Sequence, residues 1–174
     1  GKITTDDRVI RGDEQPKLNY FANVTLDYKK WSLEVLFQGV SGVDAYYSEP
    51  YSFGLSTSGD GQTPLSVQTD YWTPTNTDAR YPRIAPNSTY GNNNHRSDFW
   101  HFDASYCRVK YIQLGYTFDQ LGLKKIGISN IRLYVNAQNP FTFAQEKLTD
   151  PESRGQRGSY PLVKTYSAGV SLNF

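Results

Sequence analysis

Hydrophobic and polar residues alternate along five segments of the chain, with the period of two that is typical of β-strands. The alternation predicts strands near residues 18–28, 31–39, 105–118, 129–140 and 164–174. Gly, Pro, Asn and Ser residues separate the segments, as expected for turns and loops. The alternation is less regular at the start of the third segment. The pattern therefore predicts an all-β fold.

Each predicted strand is about ten residues long, which matches the ~9–11 residues of a tilted transmembrane β-strand. Strands of soluble proteins are usually shorter, with a most common length of about 5–6 residues. The apolar side chains of an outer-membrane barrel face lipid, whereas those of a soluble β-sandwich face a core. Because both folds produce the same alternation, periodicity alone does not distinguish them.

The connections between the predicted strands alternate in length. Only Lys29 and Lys30 separate the first two strands, and residues 119–128 separate the third strand from the fourth. Residues 40–104 and 141–163 form two much longer connections. Outer-membrane barrels alternate short periplasmic turns with long extracellular loops in this way. Since an open sheet edge in lipid leaves backbone groups unsatisfied, the strands predict part of a larger antiparallel transmembrane barrel, with both long connections as extracellular loops.

The composition excludes several classes of protein. Lys and Arg number 18 and Asp and Glu 17, so the net charge of +1 argues against a nucleic-acid partner. The single cysteine excludes an internal disulfide and a cysteine-rich zinc site. The common motifs of nucleophilic, phosphate-binding and zinc-dependent enzymes are absent from the sequence, so we expect no enzyme. A soluble secreted all-β module that binds glycans is the main alternative, and a β-sandwich hydrolase is a weaker one.

Several motifs occur in one order along the chain. Residues 36–42 read LFQGVSG, and residues 71–83 contain YWTP followed by Asn and YPR. Residues 103–116 begin with DASY and end with QLGY, and residues 138–143 read QNPFTF. Together they resemble the C-terminal part of the SusC/RagA family, the TonB-dependent outer-membrane transporters of Bacteroidetes. Cys107 departs from the pattern, because Leu is commoner at that position in the family.

The resemblance implies a location in the outer membrane, as the last strands of a multi-pass barrel of about 22 strands. The family barrel is closed by an N-terminal plug domain, and the resemblance implies that this chain lacks it. It implies import of nutrients, either oligosaccharides or peptides, with energy from TonB through the missing N-terminal region. The implied partners are the rest of the barrel and its plug, a SusD-like surface lipoprotein, and the surrounding lipid and lipopolysaccharide.

Two stretches of the sequence are candidates for metal binding. Counting Gly1 as the sixth position of an EF-hand-like loop places Asp7 at the twelfth, next to Asp6. No cofactor is expected beyond a Ca²⁺ ion at these two aspartates, and an exposed acidic turn is the alternative. Residues 95–103 contain two histidines and two aspartates, for which a solvated polar loop is the alternative to a metal site.

The first long connection is rich in aromatic residues. Flat aromatic rings suit contacts with sugars and with protein lids, because they bury a large area at a low cost in conformational entropy. They also pack a long loop onto itself, which is the competing interpretation. The candidates for contact with a substrate or a lid are Tyr46, Tyr47, Tyr71, Trp72, Tyr81 and Trp100.

The two faces of the predicted strands have different expected partners. Polar residues of one face are expected to point into the lumen or toward the plug: Asn19, Asn23, Glu34, Gln38, Arg132, Asn136 and Gln138. Apolar residues of the last strand are expected to form the barrel-terminal signal: Tyr166, Val170, Leu172 and Phe174. An aromatic girdle at the periplasmic rim is predicted from Tyr28, Trp31, Tyr116, Phe118 and Phe174.

Overall fold

A computed structural model describes residues 4–47, 65–84, 96–119, 127–156, 159–160 and 162–174. The strands in this part are β1 (Leu18–Tyr28), β2 (Trp31–Ser41), β3 (Asp44–Tyr46), β4 (His101–Asp103), β5 (Tyr106–Phe118), β6 (Asn130–Ala144) and β7 (Thr165–Asn173). Single turns of 3-10 helix lie at Thr5–Asp7, Ser66–Thr69, Asp98–Trp100 and Pro151–Ser153. None of the helical segments described here is long and apolar enough to cross a membrane.

The chain divides into two compact units, which we call the sheet unit and the loop unit. The sheet unit comprises Pro16–Gly42, Ser105–Gln145 and Pro161–Phe174. The loop unit comprises Gly1–Gln15, Val43–Ala104 and Glu146–Tyr160. Each unit is therefore assembled from three separate stretches of the sequence.

The sheet unit is one antiparallel sheet with the strand order β1-β2-β5-β6-β7. Lys29, which has a φ of 56°, and Lys30 connect β1 to β2. Thr117 donates its backbone N–H to the carbonyl of Lys30 at 2.9 Å, and the ammonium group of Lys30 pairs with the carboxylate of Asp119. The all-β fold and the antiparallel strands expected from the alternation are confirmed.

The register of the sheet separates apolar from polar side chains. One row of paired residues, all on what we call the apolar face, contains Leu26, Leu33, Leu114, Val135 and Ala168. The adjacent row of paired residues lies on the opposite face, which we call the polar face. It contains Thr25, Glu34, Gln113, Asn136 and Ser167. No paired position of the apolar face carries a charged side chain. The alternation in the sequence therefore becomes a sheet with one uncharged face.

The apolar face is exposed in this chain. Leu26 is 58% exposed, Val135 54% and Val170 61%. Soluble monomers rarely expose a contiguous apolar surface of this kind, whereas the outer surface of a membrane barrel is apolar because it contacts lipid. The sheet thus has the surface expected of a barrel wall. At the end of the sheet that contains the β1–β2 turn, Tyr116 makes edge contacts with Trp31 and Phe118 at centroid distances of 4.8 and 4.6 Å.

A β-bulge explains the irregular alternation near residue 110. The register shifts between Leu36 and Phe37 on β2, and between Val109 and Tyr111 on β5. Val109 therefore lies on the apolar face and Tyr111 on the polar face, although they are two residues apart. A bulge inserts an unpaired residue and so reverses the alternation beyond it.

The structure corrects the predicted end of the fourth strand, which lies beside the same bulge. The sequence analysis ended the fourth strand near residue 140, at Asn139-Pro140, and assigned residues 141–163 to a loop. In the structure β6 continues to Ala144, because Phe141 and Phe143 pair with Val109 and Cys107 beyond the bulge. Asn139 has a φ of 50°, a left-handed conformation that Asn adopts more readily than most residues. The Asn-Pro pair thus lies at the bulge and does not end the strand.

Three large side chains of the sheet cross a glycine on the neighbouring strand. Tyr20 of β1 passes over Gly39 of β2, and its hydroxyl donates to the carbonyl of Tyr106 on β5 at 3.2 Å. Arg132 of β6 passes over Gly115 of β5 and donates to the Ser32 hydroxyl on β2 at 2.8 Å.

The ring of Tyr134 on β6 covers Gly169 on β7 in the same way, with ring atoms 2.3–2.9 Å from where a Cβ on Gly169 would lie. At all three positions a Cβ atom would overlap the crossing side chain. These glycines therefore let a side chain on one strand reach over the next strand.

Candidate functional site

The loop unit has its own aromatic core. Trp100 is 4% exposed and Tyr81 7%, and Tyr47, Tyr71 and Ile84 pack against them. The short strands β3 and β4 pair with each other and bring Tyr47, just after β3, next to Trp100, just before β4. The Tyr47 N–H donates to the carbonyl of Trp100 at 3.0 Å. The loop unit is thus organised around buried rings rather than around a sheet face.

The motif at residues 71–83 forms a loop that is held by its own hydrogen bonds. The Trp72 N–H donates to the Tyr81 carbonyl at 2.9 Å, and the Tyr81 N–H donates to the Asp70 carbonyl at 3.0 Å. The Asp70 carboxylate accepts a bond from the Asn76 amide at 3.0 Å and one from the Arg80 N–H at 3.2 Å. The bond from Asn76, followed by that from Arg80, lowers the pKa of Asp70 below its usual value.

This loop forms one wall of a cleft in the loop unit. The cleft has a volume of about 570 Å³ and is lined by Trp72, Ala79, Arg80, Tyr81, Pro82, Arg83, Ser97, Phe99 and Trp100. Phe99 makes an edge contact with Trp100 at a centroid distance of 4.7 Å and is itself 49% exposed. The guanidinium of Arg80 lies 5.6 Å from the centre of the Tyr81 ring. Arg80 and Arg83 therefore line a cleft whose walls also carry aromatic residues.

The structure places the six predicted contact aromatics in different environments. Tyr81 and Trp100 form the core. The half-buried Tyr47 donates its hydroxyl to the Glu146 carboxylate. Burial, and next this hydrogen bond, raise the pKa of Tyr47 above its usual range. Tyr46 packs beneath the guanidinium of Arg96, with a distance of 4.6 Å to the ring centre.

Of the remaining two aromatics, Tyr71 packs on the core and Trp72 lines the cleft. Tyr81 and Trp100 also contribute to the cleft, from its inner side. Sequence reasoning missed Arg80, Arg83 and Phe99 as cleft residues. Both arginines lie in residues 79–83, which read ARYPR within the motif at 71–83, so two cations next to an aromatic motif were the available signal.

The seven residues predicted to face the lumen or plug all lie on the polar face of the sheet, according to the strand register. The Asn23 amide donates to the Glu34 carboxylate at 3.4 Å. Tyr166, Val170 and Leu172 lie on the apolar face of β7, and Phe174 follows that strand. That the polar face points toward a plug, and that the apolar residues of β7 act as an insertion signal, stay predictions.

The predicted calcium ligands form a capped turn. The Asp7 carboxylate accepts the Thr4 N–H at 2.7 Å, and the Asp6 N–H donates to the Thr4 hydroxyl at 3.4 Å. The Asp7 carboxylate thus already accepts a local hydrogen bond, which would compete with coordination of a metal ion by the same group. Gly1, which completes the proposed half-loop, lies outside the described residues. Calcium binding at Asp6 and Asp7 stays a prediction.

Two side chains of the second candidate metal site, in residues 95–103, have other partners. Asp98 pairs with Arg11 at 3.1 Å, and Nε2 of His101 lies 3.0 Å from the Asp44 carboxylate. The other histidine of this stretch, His95, lies outside the described residues. Among the described residues, no three Asp, Glu, His or Cys side chains form a group that could hold a metal ion.

Comparison with known proteins identifies relatives along the whole chain. No family model matches the sequence. The chain is 31% identical over 189 residues to TonB-dependent receptor P3 of Formosa agariphila, an alignment that covers 100% of this chain and 18% of the receptor. It is 34% identical over 88 residues to the TonB-dependent receptor SusC of Bacteroides thetaiotaomicron, covering 48% of this chain and 9% of SusC.

The fold has a counterpart among solved structures. The structure of the RagAB peptide transporter superposes with a TM-score of 0.74 at 24% sequence identity, over 99% of this chain and 19% of the RagAB chain. The chain thus spans less than one fifth of the length of the full-length relatives that it matches. Together, the two-faced sheet and the similarity along the whole sequence show that the chain belongs to the SusC/RagA-like TonB-dependent transporters of the outer membrane, as a segment of their β-barrel.

Proposed function

We propose that the full protein imports nutrients across the outer membrane, with energy from TonB, and that this segment supplies part of the barrel wall. The observation that carries the proposal is the uncharged, exposed face that continues across all five strands of the sheet, in a chain that is similar to TonB-dependent receptors from end to end. In this proposal the apolar face contacts lipid and the polar face lines the interior or contacts the plug.

The edges of the sheet require partners in this setting. Within the described residues, β1 and β7 each pair with a strand on one side only. An unpaired backbone edge in lipid costs several kcal/mol for each unsatisfied group, so a stable wall needs neighbouring strands at both edges. We infer that the rest of the barrel provides them.

We further propose that the transported nutrient is an oligosaccharide or a peptide, and that a SusD-like surface lipoprotein works with the barrel. The support is similarity: one relative is SusC, and one structural neighbour is a RagAB peptide transporter. The aromatic loop unit is the part of this segment with surfaces suited to such ligands.

The main alternative, a soluble glycan-binding module, would expose the apolar face to water. Leu26, Val135 and Val170 would then be half or more exposed in an aqueous protein. A contiguous apolar surface exposed to water promotes association between protein molecules. The barrel assignment avoids this because lipid replaces water on that face.

The proposal is tested with the full-length protein in its own bacterium. We expect a chromosomally tagged protein to fractionate with the outer membrane, and we expect its deletion to abolish uptake of one class of labelled oligosaccharide or peptide. Uptake should also stop when TonB is deleted or the proton-motive force is collapsed. A strain without the protein that imports every tested oligosaccharide and peptide at the wild-type rate would contradict the proposal.

A further inference from the structure

We propose that Phe21, Leu36 and Val40 form an apolar docking patch for the plug domain of the full-length protein, on the polar face of the sheet. This inference rests on the proposed function, in which the polar face lines the interior of the barrel, and it names the surface that the plug would contact. Because the chain spans 18% of receptor P3, most of a full-length chain lies outside this segment and is available to cover the patch.

The three residues interrupt the polar face at one place. Phe21 on β1 pairs with Gln38 on β2, and Leu36 and Val40 are the neighbouring residues of β2 on the same face. They are therefore diagonal neighbours of Phe21, at a distance that an aromatic side chain can bridge. Two adjacent strands thus place their apolar exceptions side by side.

Phe21 is the exposed centre of the patch. It is 82% exposed, whereas Leu36 and Val40 are partly buried. A further strand at the free edge of β1 would flank the ring without covering it, because side chains stand roughly perpendicular to a sheet. Removing this surface from water therefore requires a group that lies over the face itself.

The surroundings of the patch are polar and uncharged at the surface. Asn19 and Asn23 are the neighbouring residues of β1 on the same face, and Gln38 lies opposite on β2. Arg108, which pairs with Gln38 from β5, is 1% exposed, so its guanidinium is not part of this surface. An apolar centre inside a polar rim is the usual anatomy of a contact between protein surfaces.

A hollow adjoins the patch. It has a volume of about 360 Å³, and Phe21, Leu36 and Val40 line it together with neighbouring residues of β1 and β2. The strongest anchors of protein contacts insert into such pockets, where the side chain is fully removed from water. The hollow therefore favours an inserted apolar side chain of the plug over a flat polar contact.

The position of the patch selects the plug as its occupant. In the proposed barrel the polar face points away from lipid, so lipid does not cover the patch. A nutrient passes through the interior, whereas a resident domain keeps the patch buried between transport events. The long connections of the barrel and a separate partner protein are the competing occupants, and the test separates them from the plug.

Photo-cross-linking of the full-length protein identifies the occupant. The probe p-benzoyl-phenylalanine replaces Phe21, and the outer membranes that contain the protein are irradiated. We expect mass spectrometry to find cross-links from this position to peptides of the N-terminal plug. The matched control is the same probe in place of Phe141, an exposed phenylalanine on the apolar face in the adjacent paired row. It should give no cross-links to the plug, because its face contacts lipid.

Hydrogen exchange measures what the patch contributes to plug docking. Phe21→Asn and Leu36→Asn should each raise the exchange rate of the cross-linked plug segment about tenfold or more, because burial of a large apolar side chain is lost. The control Thr25→Asn introduces the same residue on the polar face of β1, outside the patch. It should change that rate by about twofold or less.

Several results would overturn the inference. Cross-links from position 21 that reach only barrel strands, the long connections or another polypeptide would do so, as would the absence of any cross-link. Equal cross-linking to the plug from positions 21 and 141 would also overturn it. So would unchanged exchange of the plug in Phe21→Asn, provided that the variant keeps the heat-modifiable mobility of a folded barrel.

Failure of this inference is distinguishable from failure of the proposed function. Normal TonB-dependent uptake without cross-links from position 21 to the plug would leave the transporter proposal intact and remove the docking patch. Cross-links to the plug, together with unaltered uptake in the deletion strain, would keep the docking patch and contradict the import function.

Discussion

Trp31 and Trp100 illustrate how differently the two units of this chain use the same kind of residue. Trp31, on the apolar face of the sheet unit, is 49% exposed, whereas Trp100, in the loop unit, is 4% exposed. The loop unit buries its large rings against one another, as a water-soluble domain does. The sheet unit leaves its large apolar side chains outside. The difference teaches that the two units treat apolar surface in opposite ways, which fits the proposal that the apolar face of the sheet unit contacts lipid.

The strongest test of the loop unit is Trp100→Ala. We expect a loss of about 3–5 kcal/mol in the local stability of the loop unit, because the substitution empties the centre of its core. Hydrogen exchange and limited proteolysis of the full-length protein measure this loss. The adjacent Phe99→Ala, at a half-exposed ring, is the matched control and should cost clearly less. Equal losses for the two variants would show that the loop unit has no core at Trp100.

The corresponding test of the sheet unit is Ile112→Arg, on the apolar face near the centre of β5. We expect the free energy of unfolding in lipid vesicles to fall by about 2–4 kcal/mol, because a charge on the lipid-facing side near the middle of the membrane is costly. The control is the neighbouring Gln113→Arg, which places the same charge on the polar face. A similar loss for both variants, measured by urea unfolding, would contradict the assignment of the two faces.

A smaller effect is expected for Gly39→Ala within the sheet unit. A Cβ atom at this position would lie 2.4 Å from the Tyr20 ring and 2.5 Å from the Tyr106 carbonyl oxygen. We expect a loss of about 1–3 kcal/mol, because one of the two obstacles is backbone and cannot move away easily. Tyr20→Phe, which removes only the hydroxyl bond, should cost about 0.5–1.5 kcal/mol. Equal unfolding midpoints for Gly39→Ala and the wild type would show that the crossing does not constrain the sheet.

The smallest effect concerns pH in the loop unit. Burial and the Glu146 carboxylate raise the pKa of Tyr47 above its unfolded value of about 10. The protonated phenol is therefore the form that the folded state favours, and its contribution is complete below pH ~10 and is lost as the pH rises above that value. We expect proteolysis of the loop unit to accelerate above pH ~10. Tyr47→Phe should lack this dependence, and an identical pH profile in both proteins would contradict it.

Sequence patterns predicted the sheet well because a transmembrane strand alternates over its whole length. Leu26 and Leu33 could be assigned to one face from their own segments, without knowledge of their neighbours. The end of β6 could not be predicted in this way. Asn139 and Pro140 have the local signature of a strand end, and only pairing of Phe141 and Phe143 with β5 shows that the strand continues.

The candidate site was less predictable than the sheet. The aromatic content of residues 40–104 indicated either contact surfaces or self-packing. Trp100 packs in the core and Trp72 lines the cleft, while contact with a substrate or lid stays a prediction. Which ring has which role depends on contacts between distant segments, such as that between Tyr47 and Glu146. No local pattern contains that information.

The sequence by itself determined the strand content, the two faces of each strand and the resemblance to a family, because these depend on the order of residues within single segments. Only the tertiary structure decided the strand register, the bulge and the crossings over glycine, since these require two or three strands side by side. It also decided which aromatics are buried and brought Arg80 and Phe99 to one cleft. The physical reason is that burial is a property of packed neighbours, whereas alternation is a property of the chain.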